Sequence, residues 1–160
     1  MAKEAKTNAM RMLERAKVAY TAHEYPHEEG QAVDGANVAR LTGQDPAKVF
    51  KTLVTQDADR NYYVFVVPVL AELDLKKAAR AAGDKNMELV HVKELLGLTG
   101  YIRGGCSPVG MKKHFPTFFD ETCQLYDEIA VSAGARGHQM IVPPEPLAEL
   151  VDAGLVDLTI

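Results

Sequence analysis

The sequence has only two cysteines, Cys106 and Cys123, and they form neither a C-x-x-C redox motif nor a zinc-ligand spacing. In a cytosolic chain both would stay reduced. The five histidines, His23, His27, His91, His114 and His138, show no H-E-x-x-H or comparable pattern. Neither a metal nor another cofactor is therefore expected. Long hydrophobic runs are missing too: nothing approaches the roughly 18 apolar residues of a membrane helix. No apolar stretch follows the opening Met1-Ala2-Lys3-Glu4-Ala5-Lys6, so no signal peptide and no membrane partner are expected, and the cytoplasm is the expected location. Positive charge is not in excess. A net charge of −4 and a pI of about 5.7 exclude a generally basic nucleic-acid coat. They leave room for a local basic face built from Lys76, Lys77, Arg80, Arg103, Lys112, Lys113 and His114, although such charges read more readily as ordinary solvated surface.

What is present is an ordinary globular composition, 47% apolar and 25% charged over 160 residues. That length suits one domain spanning 1–160 with one sizeable core. The spacing of Ala9, Met12, Leu13 and Ala16 predicts an amphipathic helix over about 5–19, with Thr7 or Asn8 as cap. A short strand over 20–25 stops at Pro26, and the acidic segment 27–35 reads as a loop. Residues 37–41 look helical with Gly43 as C-cap, and Asp45-Pro46 reads as a helix start. The β-rich runs 49–55 and 62–69 flank a polar turn and predict a hairpin. A helix over 75–82 closes at Gly83, a strand covers 88–92, and a helical turn over 93–96 ends at Gly97. Strands follow over 117–120, 128–132 and 139–142, then a helix over 144–151 and a closing strand over 156–160. This mixed order predicts α+β, not repeated βαβ units.

The most informative segment is Gly104-Gly105-Cys106-Ser107-Pro108-Val109-Gly110, followed by Lys112-Lys113. Glycine allows close backbone approach and proline removes a donor, so this is a loop suited to presenting backbone N–H groups to an ester or phosphate. Its simpler reading is a turn. Lys51 stands in Val49-Phe50-Lys51-Thr52-Leu53-Val54, a strand otherwise largely apolar on both faces. A lysine there must pair, point into a cavity, or reach solvent from an edge. Ser107 lacks a G-x-S-x-G elbow and is a poor nucleophile but a reasonable hydrogen-bonding group. Cys106 has no identifiable activating partner and is better read as packed. Ser132-Ala133-Gly134-Ala135-Arg136-Gly137-His138 is a second glycine-bearing turn whose Arg136 is able to hold a phosphate or fix a loop. Tyr25, at a strand end before Pro26, either walls a pocket or caps the core.

Together these segments resemble the YbaK/EbsC family, free-standing aminoacyl-tRNA deacylases related to the editing domain of prolyl-tRNA synthetase. The likeness runs from the N-terminal helix through Val49–Leu53, Leu73-Asp74-Leu75-Lys76-Lys77 and the Gly104–Lys113 segment to Val131–Gly137. It implies a single compact α+β domain with a mixed, barrel-like sheet surrounded by helices. It also implies clearance of misacylated tRNA, most often cysteine on the proline tRNA, with prolyl-tRNA synthetase as a partner. By the same resemblance Lys51 is the key functional residue. Tyr25, Gly104, Gly105, Ser107, Ser132, Gly134, Arg136 and Gly137 would form the substrate site, while Lys76, Lys77, Lys112 and Lys113 would meet the tRNA. The mechanism it implies uses no enzymic nucleophile: the thiol of the attached cysteine attacks its own ester. Two departures bear on amino-acid preference. Gln139 stands where cysteine-specific relatives carry an aspartate, and Asp34 where some carry a phenylalanine. An alanine deacylase using an activated water, or a non-catalytic module for tRNA or a synthetase, are the other readings.

Overall fold

The computed structural model describes residues 6–26 and 35–160. Asp34 and nearly all of the loop expected over 27–35 lie outside the described residues; Gly35 itself opens a helix.

The first helix, α1 (Asn8–Arg15), starts where Thr7 accepts the Met10 N–H through Oγ1 at 3.2 Å. It buries Ala9, Met10 and Leu13. Ala16, expected on that face, is exposed, because the helix ends at Arg15 and Lys17 (φ 60°) turns the chain away. The remaining elements are β1 (Thr21–Glu24), α2 (Gly35–Thr42), β2 (Phe50–Gln56), β3 (Tyr62–Pro68), α3 (Leu75–Ala82), β4 (Glu88–Leu89), α4 (Val92–Thr99), β5 (Thr117–Asp120), β6 (Ile129–Ser132), β7 (His138–Val142), α5 (Pro144–Leu150) and β8 (Gly154–Val156). Short 3₁₀ turns cover Pro46–Lys48, capped by Asp45, and Glu121–Leu125. Helix α4 runs through Gly97 and stops at Gly100, whose φ of 83° supplies the left-handed cap that Gly97 was expected to give. That longer helix takes up Val92 and leaves β4 only two residues. The closing strand lies earlier than expected, and Thr159 bridges back to Leu73 instead.

Strands β2 and β3 form the expected antiparallel hairpin, with Lys51 opposite Val67. The turn is held by Asp57, whose Oδ1 accepts from the backbone N–H of Asp59 (2.9 Å) and Asn61 (2.8 Å). β3 pairs in parallel with β5, and β5 with β8, giving a mixed five-stranded sheet in the order β4-β2-β3-β5-β8. A second, antiparallel sheet has the order β1-β7-β6. Val64 and Val66 of β3 enter one hydrophobic cluster with α1, β6 and α5, while Phe65 and Val67 enter another beneath α3. A strand buried on both faces explains why this run lacks alternation.

The α+β class and mixed sheet are as expected, but the strands do not close into a barrel among the described residues. The two sheets meet at one parallel bridge, Val49 with Ala130. Further along β2, β4 pairs only with Thr55 and Gln56. Phe50–Thr52 lie between these two attachments, and the seam there opens into a cavity.

Candidate functional site

The cavity holds about 120 Å³ and lies where β2, β6 and β7 approach the glycine-rich loop. Val38, Val49, Phe50 and Val69 supply apolar wall, and Tyr25, Lys51, Thr52, Gly104, Ser132 and Gln139 supply polar groups and exposed backbone. It therefore brings together Tyr25, Lys51, Gly104 and Ser132 from four separate stretches of sequence.

Lys51 resolves the alternatives left open for it: it is partly buried at the cavity. No described carboxylate lies within ion-pair distance of its Nζ, and Glu72 acts on it only from a distance. Burial pushes its pKa below the usual 10.5, with Glu72 opposing. Tyr25 is buried, and its backbone N–H donates to Gly137 O at 2.9 Å. Burial raises its phenol pKa. Ser132 Oγ accepts the Gly134 N–H at 3.1 Å, which fixes the start of the second glycine turn. Thr52 Oγ1 is buried at the cavity without a hydrogen-bond partner among the described residues.

The other expected residues support these from behind. Gly105 is pressed against the second turn: a Cβ there would lie 3.0 Å from Arg136 N and 3.1 Å from Ala135 Cα. Its N–H is committed to Ile102 O at 2.9 Å, whereas those of Gly104 and Cys106 meet no acceptor among the described residues. Ser107 is fully buried and accepts the Val109 N–H at 3.2 Å, a turn-forming contact away from the cavity. Arg136 Nε donates to Arg103 O at 2.8 Å, tying the two loops together. Burial pushes the Cys106 thiol up to about 12, so although it lines the cavity it stays protonated at neutral pH.

None of the four lysines expected at the tRNA lines the cavity. Lys112, Lys113 and Lys76 are exposed, while Lys77 Nζ bonds to Asp157 Oδ2 (2.8 Å) and Thr159 O (2.6 Å), anchoring the C-terminal segment. The sequence reading did not place Thr52 or His138 in the site, and Gln139 entered it only as a departure bearing on amino-acid preference. Thr52 follows Lys51, but nothing in a strand of β-branched residues marks one hydroxyl as lacking a partner. His138 and Gln139 sit where β7 emerges from a turn, and only the pairing of Ser132 with Gln139 across β6 and β7 brings them to the cavity. Tyr101 was also missed: its hydroxyl donates to Val109 O at 2.5 Å and its ring packs on Gly134. Among the described residues no group of three or more His, Cys, Asp or Glu is arranged to hold a metal ion, and no helix is long and apolar enough to cross a membrane.

Comparison with known proteins bears on the same region. The aminoacyl-tRNA editing domain family matches residues 28–150. A protein of Enterococcus faecalis (strain ATCC 700802 / V583), EbsC, with the provisional name Cys-tRNA(Pro)/Cys-tRNA(Cys) deacylase, is 46% identical over 154 residues, covering 96% of this chain and 93% of that protein. The crystal structure of a protein provisionally described as a trans-editing enzyme for prolyl tRNA synthetase superposes with a TM-score of 0.80 at 25% identity, covering 98% of this chain and 99% of that one. A hypothetical protein solved by crystallography shares the fold, with a TM-score of 0.83 at 21% identity over 94% of this chain and 97% of that one. A chain that matches the domain over most of its length and gathers Lys51, Tyr25 and the glycine loop around one small cavity belongs to the aminoacyl-tRNA editing family, among the YbaK/EbsC deacylases.

Proposed function

We propose that this chain clears misacylated tRNA, with cysteine on the proline tRNA as its leading substrate, and that the substrate supplies the nucleophile. The observation that carries the reading is the cavity, which has room for a small aminoacyl group, one cation without an ion-pair partner, and no activated protein nucleophile among the described residues. Cys106 is held protonated and Ser107 is turned into a loop contact.

In this reading the cysteinyl thiolate attacks its own ester carbonyl. An S–C bond forms, the C–O bond to the ribose breaks, and the ribose oxygen takes a proton. The released thiolactone is later hydrolysed by water. The protein need only hold thiol and carbonyl in attack geometry, for which effective molarities reach about 10⁵–10⁸ M. Lys51 orients the terminal adenosine or its phosphate, and the N–H groups of Gly104 and Cys106 stabilise the developing oxyanion. Arg103, Lys112 and Lys113, exposed on the loop side, meet the nucleic-acid backbone. A net charge of −4 favours a protein that takes part of its tRNA affinity from a partner, prolyl-tRNA synthetase in this reading.

Deacylation of cysteinyl-, alanyl- and seryl-tRNA(Pro) by wild type and Lys51→Ala tests this. Cysteinyl-tRNA is expected to be cleared, with the activity lost in Lys51→Ala. Absence of hydrolysis above background for every tRNA would leave a binding module. Clearance of alanyl-tRNA as readily as cysteinyl-tRNA would replace the thiol mechanism with an activated water.

A further inference from the structure

Gln139 is only 3% exposed and, like the partly exposed Lys51, lines the cavity. Its orientation follows from a chain of hydrogen bonds leading back into α2. Thr42 Oγ1 donates to Val38 O at 2.8 Å, so this hydroxyl is an acceptor towards Gln44. Gln44 Nε2 donates to Thr42 Oγ1 (2.7 Å) and to Gln139 Oε1 (2.5 Å), which uses both of its hydrogens. Reversing both amides would cost the Thr42–Val38 bond and leave two hydrogen bonds in place of three. The Gln139 oxygen is therefore occupied, and its NH₂, without an acceptor among the described residues, is the part offered to the cavity. Directly across the strand pair stands Ser132, at Cβ distances of about 4.5–5.5 Å for such partners. Its oxygen accepts from Gly134, which leaves its own hydrogen to donate.

We propose that Gln139, oriented by Gln44, and Ser132 form a neutral two-donor subsite for the heteroatom on the β-carbon of the bound aminoacyl group. The cavity then selects cysteinyl and seryl esters over alanyl esters by binding, and a thiolate is a stronger acceptor than a seryl hydroxyl. Gln139 cannot take the thiol proton, because a neutral carboxamide is too weak a base; it stabilises the thiolate once formed. Gln44 is a positioning residue. The inference rests on the deacylase reading and adds to it the group that sets amino-acid preference.

The test is kcat and KM for cysteinyl- and seryl-tRNA(Pro), with calorimetric affinities for the 3′-amide-linked cysteinyl and alanyl adenosines, for wild type, Gln139→Glu and Gln44→Glu. Loss of a hydrogen bond to a charged acceptor is a roughly tenfold effect or more, so wild type should bind the cysteinyl adenosine at least about tenfold more tightly than the alanyl one. Seryl esters should show a KM near that of cysteinyl esters with a much lower kcat, separating binding from thiol chemistry. Gln139→Glu removes the donor while keeping an acceptor for Gln44. Gln44→Glu cannot donate, accepts the Gln139 NH₂, and so turns the Gln139 oxygen into the cavity without altering its lining. Both should lower the ratio of cysteinyl to alanyl affinity by about tenfold, a change of ratio that mere loosening of the fold would not produce. An unchanged ratio in both variants, or no wild-type preference for a β-heteroatom, overturns the proposal. If wild type hydrolyses no ester, the deacylase reading fails on its own account. Calorimetry with the 3′-amide-linked cysteinyl and alanyl adenosines then still reads the subsite, and equal affinities overturn it.

Discussion

Tyr101 packs directly on Gly134: a Cβ added at that glycine would lie 2.9 Å from Tyr101 Cε1, and the glycine holds a φ of 100°. The same tyrosine donates to Val109 O, so one side chain pins the loop that carries Gly104 and Cys106 to the turn that follows Ser132. Gly134→Ala meets both a steric contact and a left-handed backbone, which together cost on the order of 1–3 kcal/mol. The melting temperature should fall by roughly 2–4 °C for each kcal/mol, read by calorimetry or circular dichroism. A melting temperature equal to that of wild type would show that the two loops are not held this way.

Lys51 should oppose stability while serving function. Its folded pKa lies below 10.5, so the charged form is disfavoured in the native state relative to the unfolded chain. The penalty is fully present below the folded pKa and fades as pH rises from that value towards 10.5, where both states become neutral. Lys51→Met should therefore raise the denaturation midpoint at pH 7, with the gain shrinking as pH climbs towards 10.5, while deacylation is lost. A pH-independent gain would place its origin in packing instead of charge.

Asp57 should act in the opposite sense. The Asn61 N–H and carboxamide, with further donors including Asp59 N–H, hold its carboxyl at about 2 against an ordinary 3.8. This stabilises the protein above 3.8 and is lost as pH falls towards 2. Asp57→Ala should thus be less stable than wild type at pH 7, with the difference narrowing across that acid window in urea titrations. A constant difference down to pH 2 would assign the effect to the turn geometry alone.

Cys106 should be dispensable as a nucleophile. A thiol held at about 12 reacts slowly with iodoacetamide in the native protein at pH 8 and readily once unfolded. Cys106→Ala should retain most deacylation, whereas loss of a true nucleophile costs on the order of 10⁴–10⁶ in kcat. A loss of that size, measured with cysteinyl-tRNA(Pro), would restore the thiol to the mechanism.

Much of the local structure was legible in the residues, because caps and turns are short-range physics. Gly83 closed α3, Asp45 with Pro46 marked a helix start that is a 3₁₀ turn, and the polar Asp57–Asn61 segment joined two β-rich runs. The misses came where competing local signals needed a neighbour to arbitrate. Gly97 offered a helix stop that Gly100 took, and the terminal strand slid to Gly154–Val156, where β5 gave it a partner.

The sequence by itself determined the chemistry available: one lysine in an apolar strand, two glycine-bearing loops, and no metal or catalytic-triad pattern. Only the tertiary structure decided which of these groups share a site. Cross-strand register set Ser132 beside Gln139, an incompletely sealed seam between two sheets gave Lys51 a cavity, and close packing turned Gly105 and Ser107 into scaffold. Those assignments depend on contacts between residues far apart in the chain, and a spacing pattern carries no information about which unpaired donor will face the same empty space.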